Sequence, residues 1–171
     1  MPLTVVPYDR LAAVEYAHRW AFSRNPRYYN YDKIGGDCTN FASQCLYAGT
    51  GVMNYTPVYG WFYNSANSKS PSWTGVAYFY NYMSRGKPNQ GPFCVETSLE
   101  EVEIGDLIQL SFRNSEYQHT PVVVAVGDPP MPENILLAAH TYDADYRPMS
   151  TYPYELYRCL HILGAYTASA K

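Results

Sequence analysis

The sequence predicts an α+β protein in which N-terminal helices pack on an antiparallel β-sheet. Two observations carry the prediction. Apolar residues recur at helical spacing through the first half of the 171 residues. Valine- and leucine-rich runs bounded by turn residues begin at about residue 106 and continue to the end. Helices first and strands after is the α+β arrangement. No internal repeat or low-complexity segment occurs, and the length suits one domain spanning residues 1–171.

Pro7-Tyr8-Asp9 opens a first helix, in which Leu11, Val14, Ala17 and Ala21 form a stripe beside Trp20 and Asn25-Pro26 ends the run. A second helix starts from the glycine turn Gly35-Gly36, with Asp37 as N-cap, Phe41, Ala42, Cys45 and Leu46 as its apolar stripe and Gly49 as its stop. Residues 50–71 are rich in Gly, Asn, Ser, Tyr and Pro and read as a long loop. Trp61 would anchor that loop as one wall of a cleft. Ser72 caps a third helix that runs to Gly86, and residues 87–98 form a connector with two prolines. Strands are expected at about 106–113, 119–126, 133–140 and 157–166.

The chemistry concentrates at Cys38. At the first position of a helix it lies beside free backbone N–H groups and the positive end of the helix dipole, which favours thiolate over thiol. Asp37 pulls the other way, so a proton acceptor is required. His119 opens the second strand and His140 closes the third. Cysteine, histidine and a further polar residue in chain order supply a nucleophile, a base and an orienter. Asp143 and Asp106 are rivals for the third position, although Asp106 after Gly105 suits a turn cap. Asp143 could instead contact substrate, and Arg147 could pair with a substrate carboxylate. His18, His161 and Asn40 read as structural residues with local partners.

Bulk properties narrow the function classes. A net charge of −3 and a pI near 5.7 argue against nucleic acid as partner. No run approaches the roughly 20 apolar residues of a membrane helix. The opening residues lack the features of a signal peptide, so an envelope or secreted location would require a mature form or excised domain, and a cytoplasmic one would otherwise follow. The four cysteines show no metal-ligand spacing, and neither a metal nor a cofactor is expected. Cys38 and Cys45 lie about 10 Å apart along one helix, too far to bridge. Cys45 belongs to the core, and Cys94 and Cys159 read as structural. The 19 tyrosines cluster at Tyr28, Tyr29 and Tyr31, at Tyr78, Tyr80 and Tyr82, and at Tyr152, Tyr154 and Tyr157, a composition suited to lining a sugar or peptide groove.

Six runs in order carry a family resemblance: GDCTNFASQCLYAG, GWFYNS, SWTGVAYFYNYM, IGDLIQL, QHTPVVVAV and AAHTYDADYRPMS. Together they resemble the "putative amidase domain" family, related to the CHAP and NlpC-type papain-like cysteine amidases, from Tyr8 through Tyr166. The resemblance implies a papain-like or NlpC-like core, Cys38 as nucleophile, His119 as base, and His140 as the best match to the third position. It implies a monomeric cysteine amidase or peptidase cutting an amide in bacterial cell-wall (peptidoglycan-type) peptide. A peptide- or glycan-binding module on the same fold, or an acyltransferase, is the alternative.

Overall fold

The computed structural model describes residues 2–168. It joins helices to an antiparallel sheet, as the segregated patterns require. The helices are α1 (Arg10–Trp20), α2 (Cys38–Thr50), the single turn α3 (Pro71–Thr74) and α4 (Val76–Met83). The main sheet contains β1 (Leu3–Val6), β4 (Gly91–Thr97), β5 (Leu107–Ser111), β6 (Val122–Val126), β7 (Ile135–Ala139), β8 (Ala144–Pro148) and β9 (Leu156–Ala168). A separate small hairpin pairs β2 (Tyr63–Ser65) with β3 (Ser68–Lys69).

The long strand β9 is the spine of the sheet. It pairs β5 through Leu156–Leu160, β1 through Ala165–Ala168, and β4 across Cys159–Tyr166. Because β4 overlaps both other partners, it holds one edge of β9, while β5 and β1 follow each other along the opposite edge. The break between them leaves Ile162 without a strand partner on that side. Asp106 and Arg10 fill it: Ile162 N donates to Asp106 Oδ1 at 3.0 Å, and Arg10 Nη2 donates to the Ile162 carbonyl at 2.6 Å. Arg10 and Asp106 are themselves paired at 2.7 Å, so buried backbone polarity and buried charge are satisfied together. Asp106 also accepts Glu103 N at 2.9 Å, the turn-capping role its position predicts.

Side chains alternate across the strands. Leu107, Val122, Val124, Leu160 and Ile162 join Phe41, Leu46 and Trp73 in the core beneath the helices. Ile108, Leu110, Val123, Leu137 and Cys159 pack with Met149 and Tyr152 on the other face. Helix α1 lies against α2, and Asp9 N donates to the Gly49 carbonyl at 2.8 Å. A Cβ at Gly49 would fall 2.3 Å from the Tyr8 ring, so Gly49 permits this approach rather than stopping the helix. The stop is Gly51, in the left-handed conformation at φ 68° with its N–H returned to the Tyr47 carbonyl. On α1 the buried face is Ala13, Val14 and Ala17, and Leu11 points outward.

The helix expected from Ser72 to Gly86 is broken at Gly75, whose extended backbone separates α3 from α4. Residues 50–71 are more ordered than their composition suggests. An Asn54–Trp61 bridge and the β2–β3 hairpin fold the segment back, and Trp61 is fully buried with its ring 4.5 Å from that of Trp73. Trp61 therefore offers no face to a cleft and is a core residue. The expected connector contains β4, which bonds to β9 alone and so tolerates Pro92 at a sheet edge.

Candidate active site

Cys38 is the first residue of α2 and is buried, 6% exposed. Its Sγ lies 3.8 Å from the Gln118 carbonyl and 3.8 Å from Thr39 Oγ1. Thr39 Oγ1 meets Thr120 Oγ1 at 3.0 Å, so the first turn of α2 is clamped to the segment entering β6. His119 is the residue between these two contacts. Its carbonyl accepts Leu110 N at 3.0 Å, and its ring lies between Phe112 and Tyr152, with centroids 6.2 and 5.6 Å away. Among the described residues its ring makes no hydrogen bond.

Burial sets the protonation of both groups. Burial pushes the Cys38 thiol up, and the Asp37 charge adds to that, while hydrogen bonds from Thr39 and the Thr120 backbone oppose it. Burial, reinforced by the Arg147 charge, lowers His119 to about 4. At neutral pH the two groups are therefore a thiol and an uncharged imidazole. The latter is free to accept a proton.

Asp37 precedes the helix without capping it. Its side chain makes no hydrogen bond to the first turn of the backbone. Instead Oδ1 accepts Tyr31 N at 2.8 Å and Asn40 Nδ2 at 2.9 Å, and Oδ2 accepts His140 Nδ1 at 2.5 Å. The expected N-cap role gives way because these donors hold the carboxylate away from the helix end. Asn40 completes the lattice by accepting Trp73 Nε1 at 2.9 Å.

His140 belongs to this lattice and does not orient His119. Its Nε2 donates to the Trp20 carbonyl at 2.7 Å, its Nδ1 faces Asp37, and its ring stacks on Phe41 at 4.0 Å. Both ring nitrogens are committed, so neither can accept the N–H of His119. The Trp20 carbonyl can only accept, so Nε2 carries a proton, and Nδ1 is taken by the Asp37 carboxylate. Asp143 is likewise engaged, in a two-pronged pair with Arg24 at 2.9 Å for each bond. His18 bonds Asp145 and His161 bonds Asp106, the structural roles their positions suggest.

Two cavities open around the site. The larger, of about 590 Å³, is lined by His119, Phe112, Arg113, Thr141, Arg147 and Tyr152 among others. The smaller, of about 380 Å³, is lined by Cys38, Tyr31, Gly36, Lys69 and Thr74 among others. Gly36 and Thr141 sit together between them: Asp37 N donates to Thr141 Oγ1 at 2.8 Å, and a Cβ on Gly36 would lie 3.2 Å from that hydroxyl. Thr141 and Tyr142 both have φ of 59°, a costly conformation for a β-branched residue in particular. Two residues lining the cavities carry buried hydroxyls that make no hydrogen bond by distance and angle, Tyr31 in the smaller and Tyr152 in the larger. The sequence marks both tyrosine clusters but gives no signal singling out these two members. Among the described residues, no group of three or more His, Cys, Asp or Glu side chains could hold a metal, and no helix is long and apolar enough to cross a membrane. All four cysteines are free and buried.

A family model described as "Putative amidase domain" matches residues 7–162. The chain belongs to this amidase family. An uncharacterized protein of Bacillus subtilis (strain 168), YhbB, is 39% identical over 143 residues. The alignment covers 82% of this chain and 43% of that protein, so the chain spans less than half of its relative. No solved structure matches the chain.

Proposed function

We propose that this amidase domain is a papain-like cysteine enzyme that cleaves a peptide amide through a thioester, with Cys38 as nucleophile and His119 as proton shuttle. The observation that carries the reading is the clamp of the α2 N-terminus, with Cys38 at its first position, onto the segment that presents His119. On substrate binding, His119 takes the thiol proton as Sγ attacks the carbonyl carbon. The Cys38 N–H and the Tyr31 hydroxyl, which makes no hydrogen bond of its own, donate to the oxyanion. Collapse breaks the C–N bond, and His119 returns the proton to the departing amine. Water, deprotonated by His119, then hydrolyses the thioester and frees the thiol.

In this mechanism His119 is oriented by packing between Phe112 and Tyr152 rather than by a third polar residue. His140 acts at a distance, holding Asp37 and through it the turn that delivers Cys38. Cell-wall peptide is the substrate that the family resemblance suggests. The test pairs brief iodoacetamide labelling with hydrolysis of a cell-wall-type peptide. Cys38 should label first, His119→Ala should slow that labelling, and Cys38→Ala should abolish hydrolysis. Labelling at Cys94 or Cys159 with Cys38 untouched, or full hydrolysis in Cys38→Ala, overturns the assignment.

A further inference from the structure

The larger cavity has a charge pattern that bond cleavage alone does not use. Arg113 and Arg147 line it, and no residue in its lining is acidic. Neither arginine has a carboxylate partner among the described residues. Arg147 commits Nε and Nη2 to Thr151 and leaves Nη1 without a hydrogen-bond partner. Its guanidinium lies 3.7 Å from the centroid of the Tyr152 ring. Tyr152 is 6% exposed, and its buried hydroxyl has only the Arg147 guanidinium beside it. A buried hydroxyl without a partner costs stability unless something fills the role, and a guanidinium beside it selects an anion.

We propose that this cavity is a carboxylate-binding subsite, in which Arg147 Nη1 and the Tyr152 hydroxyl hold an anionic group of the fragment on the amine side of the scissile amide. The side assignment rests on the cysteine-amidase reading. Cys38 lines the smaller cavity and His119 the larger, so a carbonyl carbon over Sγ with its nitrogen toward His119 directs the leaving fragment into the larger one. Peptides carrying a free carboxylate near the bond, on an acidic side chain or at the C-terminus, are then the preferred substrate class. The exposed Arg113 at the rim adds long-range attraction, which salt screens.

Binding can be separated from turnover with Cys38→Ala protein. The probes are acetyl-Ala-Ala-Ala with a free C-terminal carboxylate and the same peptide as its carboxamide, titrated by amide NMR at low salt. The acid should bind about tenfold or more tightly than the amide, as a charge-assisted bond implies, and should shift the Gln118, Thr141 and Tyr142 amides. In a Cys38→Ala, Arg147→Gln protein whose spectrum stays folded, that preference should vanish. Tyr152→Phe should weaken acid binding about threefold to tenfold while leaving the amide unaffected. Equal affinities, no binding of either probe at millimolar concentration, or a preference that survives Arg147→Gln overturns the proposal. A carboxylate preference in a protein that hydrolyses no peptide would leave the subsite standing and refute the amidase reading. Cys38-dependent hydrolysis indifferent to the carboxylate would do the reverse.

Discussion

His119 provides a quantitative test of how dry the site is. Its imidazole is 5% exposed, and burial, with the Arg147 charge second, lowers it from 6.5 to about 4. In the unfolded chain the same ring takes up a proton near its ordinary value. Below that pH the unfolded state binds more protons, and the balance tips away from the fold. The contribution is present in full above about pH 6.5 and is lost as pH falls through about 4. At about 1.4 kcal/mol for each pH unit, the loss amounts to about 3 kcal/mol. His119→Gln removes the titration and keeps much of the volume. Guanidinium unfolding of both proteins at pH 7.5 and pH 4 isolates the effect, because the carboxylates that titrate over the same range are common to both. Wild type should lose about 3 kcal/mol more than the variant, or about 6–12 °C in Tm for a chain of this size. A difference between the two proteins that stays constant from pH 7.5 to 4 would show that the ring is hydrated, and the account of His119 as a buried neutral base would fail.

Three other substitutions separate the roles assigned above. His140→Ala should cost about 3–5 kcal/mol, because it leaves the buried Asp37 short of a donor, and should lower kcat with little change in KM; an unaltered melting curve would contradict the lattice. Tyr31→Phe should leave stability unchanged or raise it, since it removes a buried hydroxyl without a partner, and should reduce kcat by about a hundredfold, as loss of one oxyanion donor does; an effect confined to KM would assign the hydroxyl to substrate binding instead. Trp61→Ala should cost about 3–5 kcal/mol of unfolding free energy, and a stable variant with raised KM would restore Trp61 to the cleft.

The first two helices and four of the seven strands of the main sheet were legible because their signals are local. Phe41, Ala42, Cys45 and Leu46 repeat at helical spacing, and Val122–Val126 is a strand in almost any context. The other three strands of the main sheet were not legible, for separate reasons. β8 carries Asp145 and Arg147 on a polar edge, β1 is only four residues long, and β4 includes Pro92, which is tolerated only because that strand has a single partner. The position of Cys38 at the start of α2 could be read from the glycine turn before it. The partners of His140 could not. Asp37 lies 103 residues away and Trp20 lies 120 residues away in sequence, and only the packed fold brings them together. Chain order suggested an orienter where the fold has built a support.

That support resolves the conflict between Asp37 and Cys38. A carboxylate at the residue before a helix ordinarily caps it, accepting the N–H of the second or third helical residue and bringing its charge over the helix end. It also opposes thiolate formation at the next residue, as the upward push on Cys38 records. Here the Tyr31 N–H, the Asn40 amide and the His140 ring hold Asp37 turned away from the helix, with Arg24 Nε 3.5 Å off as a further positive charge. The first-turn N–H groups stay open, and the carboxylate field is offset where it would do most harm. The same donors tie three separate segments to one carboxylate, fixing the turn on which the sulfur sits. Substituting Asp37 by Asn would weaken the bond to His140 and free an amide to compete for the same acceptors. The expected consequence is a displaced Cys38 rather than a more acidic one, so removing the negative charge should reduce turnover even though simple electrostatics favours the thiolate. A rise in turnover would mean that the charge of Asp37, and not its anchoring of the turn, governs the nucleophile.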